Sequence, residues 1–170
     1  MRHLIDFGDL TRAEWESLYQ RCSDIMDHPA DFMDACRGRV MASLFYEPST
    51  RTNFSFQTAM LRVGGTVFGF ADPKSTSTAK GETLKDTIKI VSNYADVIVM
   101  RTPWEGAAKA ASLYANVPVV NAGDGGHMHP TQTTADLTTI TRLRGKVDDL
   151  AIGLCGDLKN GRTVHSLCNS

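Results

Sequence analysis

Apolar residues follow two rhythms along this chain: short continuous runs, and longer stretches in which they return at i, i+3, i+4 and i+7. The first rhythm suits strands buried on both faces, the second amphipathic helices. The runs predict strands at 42–45, 66–70, 97–101, 117–121 and 150–155. Helical spacing predicts a first helix at 11–26, with Trp15, Leu18, Tyr19, Cys22, Ile25 and Met26 as its buried stripe. Thr11 sits at its N-cap, and Glu14 closes a capping box. A second helix starts at Ser49, Thr50, Arg51 and Thr52, presents Phe56, Ala59, Met60 and Val63, and ends at Gly64 and Gly65. Further helices are predicted at 82–94 (buried face Leu84, Ile88, Val91 and Ala95), 104–115, 130–143 and 162–170. Residues 72–79 are rich in Ser and Thr without apolar periodicity and predict a loop.

Strands alternating with helices predict an α/β fold, a parallel sheet flanked by helices. In such sheets ligands sit beyond the carboxyl ends of the strands. Residues 47–52, 71–80, Arg101 and 123–132 each follow a strand, so these polar segments are expected on one sheet edge. After Gly145 the pattern restarts with an apolar run at 150–155, a tight turn at 156–161 and the opening of a helix at 162. One strand and a partial helix cannot bury their own apolar surface. Residues 146–170 are therefore expected to be the first β-α unit of a second, truncated α/β domain.

Composition narrows the partners. The 170 residues carry 18 bases and 19 acids, which suggests neither nucleic acid nor an anionic membrane as partner. Cys22, Cys36, Cys155 and Cys168 form no CxxC pair and read as reduced thiols rather than zinc ligands. The first residues, Met1-Arg2-His3-Leu4-Ile5-Asp6, carry charge where a signal peptide needs an apolar run. No window approaches a membrane span, and a soluble cytoplasmic protein is the expectation.

The candidate chemistry begins at Ser49-Thr50-Arg51-Thr52. An N-cap needs one hydroxyl; three hydroxyls and an Arg at a helix start exceed that need and suit a small oxyanion. In His129-Pro130-Thr131-Gln132, Pro130 suits the first helical position, so His129 caps the helix and Gln132 lies one turn on. The two can touch one ligand, whereas a capping His with no ligand is the plainer alternative. Arg101 ends a strand, where a rim salt bridge is as natural as a ligand role, and Arg162 follows a glycine-bounded turn. There is no GxxxxGK[ST] loop, and Gly123-Asp124-Gly125-Gly126 lacks a dinucleotide fingerprint.

Phe45-Tyr46-Glu47-Pro48-Ser49-Thr50-Arg51-Thr52 resembles the signature of the aspartate and ornithine carbamoyltransferases. Ser77-Thr78-Ala79-Lys80-Gly81-Glu82-Thr83, Val99-Met100-Arg101, Asn121-Ala122-Gly123-Asp124-Gly125, His129-Pro130-Thr131-Gln132-Thr133 and the stretch from Gly156 to Leu167 are similar to the family's later motifs, in its order. The likeness is closer to the catalytic chains of the aspartate enzymes. Glu47 stands where ornithine enzymes commonly carry Lys, and Thr131 where they carry Cys.

The resemblance implies a carbamoyl phosphate-binding domain over 1–145, with an interdomain helix near 130–143, and the incomplete start of an aspartate-binding domain over 146–170. It implies transfer of the carbamoyl group from carbamoyl phosphate to L-aspartate, a step of pyrimidine biosynthesis, with no cofactor and no metal. By the same resemblance Ser49, Thr50, Arg51 and Thr52 hold the phosphate, and Arg101 is a second clamp. His129 and Gln132 meet the carbamoyl group, and Arg162 and Lys80 bind aspartate. Catalysis would fall to Arg51, Thr52, Arg101 and His129. Ser77 and Lys80 would come from a neighbouring subunit, implying a homotrimer with shared sites and leaving room for a regulatory chain. Glu47 is expected to hold Arg51. His127 is expected to compete with His129 or face solvent, while His3, His28 and His165 have no supporting context. Taken alone, the 170 residues are expected to bind carbamoyl phosphate with little turnover; ornithine transfer and a phosphate-binding domain without catalysis are the alternatives.

Overall fold

The computed structural model describes the backbone of residues 1–170 and every side chain except that of Ser75. Strands β1 (Val40–Phe45), β2 (Thr66–Phe70), β3 (Val97–Thr102) and β4 (Val119–Asp124) form one parallel sheet in the order β2-β1-β3-β4. The helices are α1 (Arg12–Asp27), α2 (Thr50–Arg62), α3 (Leu84–Val91), α4 (Ala107–Ser112), α5 (Pro130–Arg144) and α6 (Arg162–Cys168).

The continuous apolar runs of β1, β3 and β4 are explained by burial on both faces of the sheet, while β2, at the edge, is partly exposed. On one face Ala42, Leu44, Ile98, Met100 and Val119 pack with Ile88 and Val91 of α3 and Ala108 and Ala111 of α4. On the other, Met41, Phe45, Val99 and Ala122 pack with Met60 and Phe56 of α2. A third cluster joins α1 to α5 through Phe7, Trp15 and Leu137. Leu4 extends the sheet edge, donating its N–H to Val119 O at 2.9 Å and accepting from Asn121 N–H at 2.8 Å. Among the described residues, no helix is long and apolar enough to cross a membrane.

The α1 start agrees with the sequence: Thr11 caps it, and Glu14 completes the capping box. Trp15 is the one fully buried residue of its stripe, and Met26 is 59% exposed. On α2, Ala59 is exposed and Asn53 is buried in its place. Asn53 Oδ1 accepts from Ser43 Oγ at 2.8 Å and from Gln57 Nε2 at 2.7 Å. A polar group is thus satisfied by hydrogen bonds inside the sheet-helix interface.

Helices α3, α4 and α6 are shorter than expected, while α5 matches its expected span to within one residue. α3 starts at Leu84 because Thr83 caps it, its hydroxyl accepting from Asp86 N–H. α4 covers only Ala107–Ser112, and β4 is displaced to take in Gly123 and Asp124. The loop at 72–79 contains two 3-10 turns, Pro73–Ser75 and Ser77–Lys80.

The expected strand at 150–155 does not form. A parallel strand is held by ladder bonds to a neighbour, and this segment pairs with no strand among the described residues; Ile152 is 51% exposed. The β half of the anticipated second β-α unit is therefore missing. Its helix, α6, packs instead against the start of α5, with Ser166 fully buried.

Candidate active site

The strand order reverses between β1 and β3: β2 lies on one side of β1, and β3 and β4 follow on the other. Ligand crevices of open α/β sheets lie outside the carboxyl ends at such a point. β1 delivers Tyr46 and Glu47 there, and Pro48 and Ser49 turn the chain into α2. Ser49 occupies the N-cap position without a side-chain capping bond, so its hydroxyl is not spent on the helix. The first N–H groups of α2 have no intrahelical partners and carry the positive end of the helix dipole. β3 brings Arg101 alongside, in register with Phe45.

These elements and α5 enclose a cavity of about 410 Å3 whose polar lining is Arg51, Thr52, Arg101, His129, Gln132 and Arg162, joined by Ser55 and Thr163. A hollow of about 340 Å3 adjoins it and shares Thr52, His129 and Gln132. A larger groove of about 630 Å3 runs between α1 and α5, but Arg142 is the only charged group on its walls. The concentrated positive charge marks the smaller cavity as the site.

Glu47 organises the cations. Its Oε1 accepts from Arg101 Nε at 2.6 Å and from Arg162 Nη2 at 2.9 Å, with all three side chains at most 20% exposed. Arg101 Nη1 also donates to Thr52 Oγ1 at 3.3 Å. The expected Glu47–Arg51 pair is absent: Arg51 is exposed and makes no ion pair among the described residues. α6 folds back over the sheet edge, and its guanidinium reaches the carboxylate first. One carboxylate against two guanidiniums leaves the cavity positive, and Arg162 Nη1 is buried with no hydrogen-bond partner among the described residues. Gly123, at φ +116°, makes room for it; a Cβ there would lie 2.8 Å from Nη1.

His129 caps α5 and is buried. Desolvation, then the charges of Arg101 and Arg162, push its pKa down to about 4, so the ring is neutral at neutral pH. Thr131 Oγ1 lies 3.2 Å from its Nδ1, and its backbone N–H donates to Ser166 Oγ at 2.6 Å. Gln132 is one turn along, as its spacing suggests, and donates to Asp136 Oδ1 at 2.9 Å. His127 does not line the cavity with His129 and is exposed, in line with the solvent-facing alternative; its Nδ1 lies 3.3 Å from Asp124 Oδ2.

The structure thus gathers Arg51, Thr52, Arg101, His129, Gln132 and Arg162, while Ser49 and Thr50 stand at the helix start beside them. Ser77 and Lys80 are exposed and do not line the cavity. Sequence reasoning missed the double role of Glu47 and the parts of Ser55, Thr163 and Ser166. Only the helical spacing of Ser55 from Thr52, and of Thr163 and Ser166 from Arg162, could have signalled them.

The family model of the aspartate/ornithine carbamoyltransferase carbamoyl-P binding domain matches residues 2–142. The chain belongs to that family. Among curated carbamoyltransferase relatives, the aspartate carbamoyltransferase catalytic subunit of Clostridium acetobutylicum is 57% identical over 166 residues, 98% of this chain and 54% of that protein. That of Clostridium perfringens is 55% identical over the same share. Aspartate transcarbamoylase from Trypanosoma cruzi, solved with carbamoyl phosphate and aspartate, superposes with a TM-score of 0.92 at 41% identity, over 98% of this chain and 56% of that one. The catalytic subunit of M. jannaschii aspartate transcarbamoylase gives 0.89 at 49% identity, over 99% and 56%. This carbamoyltransferase-family chain spans about half the length of the curated relatives it matches.

Proposed function

We propose that the cavity between β1, β3 and α5 holds carbamoyl phosphate, and that the polypeptide passes its carbamoyl group to L-aspartate, giving N-carbamoyl-L-aspartate and phosphate. The carrying observation is the convergence of Arg51, Thr52, Arg101, His129 and Gln132 on one small positive cavity at the α2 N-terminus. A phosphate dianion fits the hydroxyls and N–H groups of Ser49, Thr50 and Thr52, with Arg51 and Arg101 as charge-assisted donors.

The acceptor amine attacks the carbonyl carbon, negative charge builds on the carbonyl oxygen, the C–O bond to phosphate breaks, and the proton lost by the amine leaves on the phosphate. Donors already in place stabilise that charge without reorganisation. His129 suits this role as a neutral ring. In the tautomer in which Thr131 donates to Nδ1, the ring proton stands on Nε2 and is available to the carbonyl oxygen. Thr52 and Arg101 supply further donors, and Gln132 takes the carbamoyl nitrogen.

Arg162, with a buried and unpartnered Nη1, is the group we assign to an aspartate carboxylate, joined by Lys80. Ser77 and Lys80 do not line the cavity of their own chain, which supports their service to a neighbouring copy in a homotrimer with shared sites. In this reading 1–145 is the carbamoyl phosphate domain, with α5 leading out of it, and 146–170 begins the acceptor domain. Pyrimidine biosynthesis, a cytoplasmic setting and a regulatory partner chain belong to the same reading. Glu47 and Thr131 favour aspartate over ornithine by resemblance, since the ornithine enzymes commonly carry Lys and Cys at these positions.

Calorimetry of the 170-residue chain with carbamoyl phosphate should show weak binding, and a labelled assay little turnover. Absence of binding would sink the donor site, and near-normal turnover would refute the restriction to binding. Carbamoylation of ornithine in preference to aspartate would overturn the acceptor. Sedimentation that finds only monomer at high concentration would remove the shared site.

A further inference from the structure

His165 is not among the groups assigned to donor or acceptor, yet it occupies the joint between them. Its Nδ1 lies 2.7 Å from Gly126 O, and its Nε2 lies 3.0 Å from Leu158 O. Carbonyl oxygens only accept, so both contacts are hydrogen bonds only when each ring nitrogen carries a proton. Gly126 belongs to the loop that leads from β4 into His129, and Leu158 to the turn that leads into Arg162. The two segments are packed closely: a Cβ on Gly126 would lie 3.8 Å from Asn160 O. The neighbouring Ser166 takes the His129 N–H at 2.6 Å. α6 therefore touches the donor loop through Ser166 and His165, and carries Arg162 into the cavity on the same turns.

We propose that His165, as an imidazolium donating to both carbonyls, is a positioning residue that locks α6 onto the His129 loop and so sets Arg162 and His129 together. Loss of its proton turns one ring nitrogen into an acceptor facing a carbonyl, which removes one bond and opposes two lone pairs. The clamp thus ties the geometry of the cavity to pH.

The surroundings favour the charged ring. The hydrogen bonds to Leu158 and Gly126 raise its pKa above the ordinary value of 6.5, aided by the His127 backbone and by Glu105, between β3 and α4. Asp157, in the turn before α6, is held below the usual carboxylate range by hydrogen bonds from Asn160 first and from the Lys159 backbone, with His165 adding the smallest contribution. The remaining charged and titratable groups nearby are already engaged: Arg162 on Glu47, and His127 and Asp124 on each other. A pKa raised by folding means that the clamp is complete below 6.5 and is lost as pH rises through the higher folded value.

The consequence for ligand rests on the carbamoyl phosphate reading of the cavity; the clamp itself does not. Long-range 1H–15N spectra of the 170-residue chain, titrated from pH 5.5 to 9, should show His165 protonated on both nitrogens at pH 6 with a midpoint above 6.5. The His129 amide and the Arg162 Nε–H should shift with that same midpoint in the unliganded wild type. In parallel, H165Q should weaken inorganic phosphate and carbamoyl phosphate binding about threefold to tenfold at pH 6, the scale of one ordinary hydrogen bond. The wild-type-to-variant ratio should shrink toward one at pH 9. A singly protonated ring at pH 6, or a His129 amide and Arg162 Nε–H indifferent to the His165 midpoint, would overturn the proposal whether or not H165Q folds. Wild-type chain that shows the titration but binds no carbamoyl phosphate would sink the donor-site reading and leave the clamp standing.

Discussion

At the scale of single residues, the site depends on a histidine kept neutral by its neighbours. The unfolded chain protonates His129 near 6.5, whereas the folded chain does so only near 4. Its neutral state is therefore matched to folding above 6.5, and stability falls as pH drops from there toward 4. The shift is worth at most about 3 kcal/mol between neutral pH and pH 4. Urea unfolding at pH 7 and pH 4 should show an acid loss of that order that is absent in H129Q; an equal loss in both would place the acid sensitivity elsewhere. The proposed phosphate-binding residues Ser49, Thr50, Arg51 and Thr52 stand out in the sequence because hydroxyls, a guanidinium and a helix start coincide within four consecutive positions. The partner of Glu47 does not. Arg51 is close in sequence, but Arg162, 115 positions away, takes the carboxylate, and no local spacing encodes that approach.

At the scale of elements, the strands buried on both faces and the helix caps were readable, because each is written in a run or a box of neighbouring residues. Thr11 with Glu14, and Pro130 after His129, each mark a helix start to the residue. The segment 150–155 shows the limit: its apolar run has strand character, but a strand exists only beside a partner, and none is paired with it here. The α1 stripe shows another limit, since periodicity gives direction but not depth. Trp15 alone is fully buried, its ring 5.5 Å from that of Phe7 and in the cluster with Leu137. W15A should therefore cost about 3–5 kcal/mol. Hydrogen exchange should show protection lost first across α1, with β1 and β3 still protected near the global limit. Uniform loss across sheet and helix would mean that α1 is part of the folding core rather than a docked element.

At the scale of the whole molecule, charge is nearly balanced and unevenly placed. The net charge is −1, yet Arg51, Arg101 and Arg162 converge on a cavity of about 410 Å3 with Glu47 as the counter-charge holding two of them. Anion attraction is then local rather than a property of the global field, and it should respond to salt differently from stability. Most other ion pairs, such as Arg12–Asp148, Arg37–Asp34 and Arg142–Asp27, stand on the exposed surface. Such exposed pairs contribute little to stability and are partly screened already at physiological salt. Raising sodium chloride from about 20 mM to 500 mM shortens the screening length from roughly 20 Å to 4 Å. Phosphate binding by calorimetry should weaken by about tenfold or more, while the urea midpoint moves little, because the fold rests on the two apolar faces of the sheet. A urea midpoint that falls in step with phosphate affinity would show that the surface pairs, not the sheet core, hold the molecule together. Phosphate affinity that ignores salt would mean that backbone N–H groups and hydroxyls, rather than the guanidiniums, bind the anion.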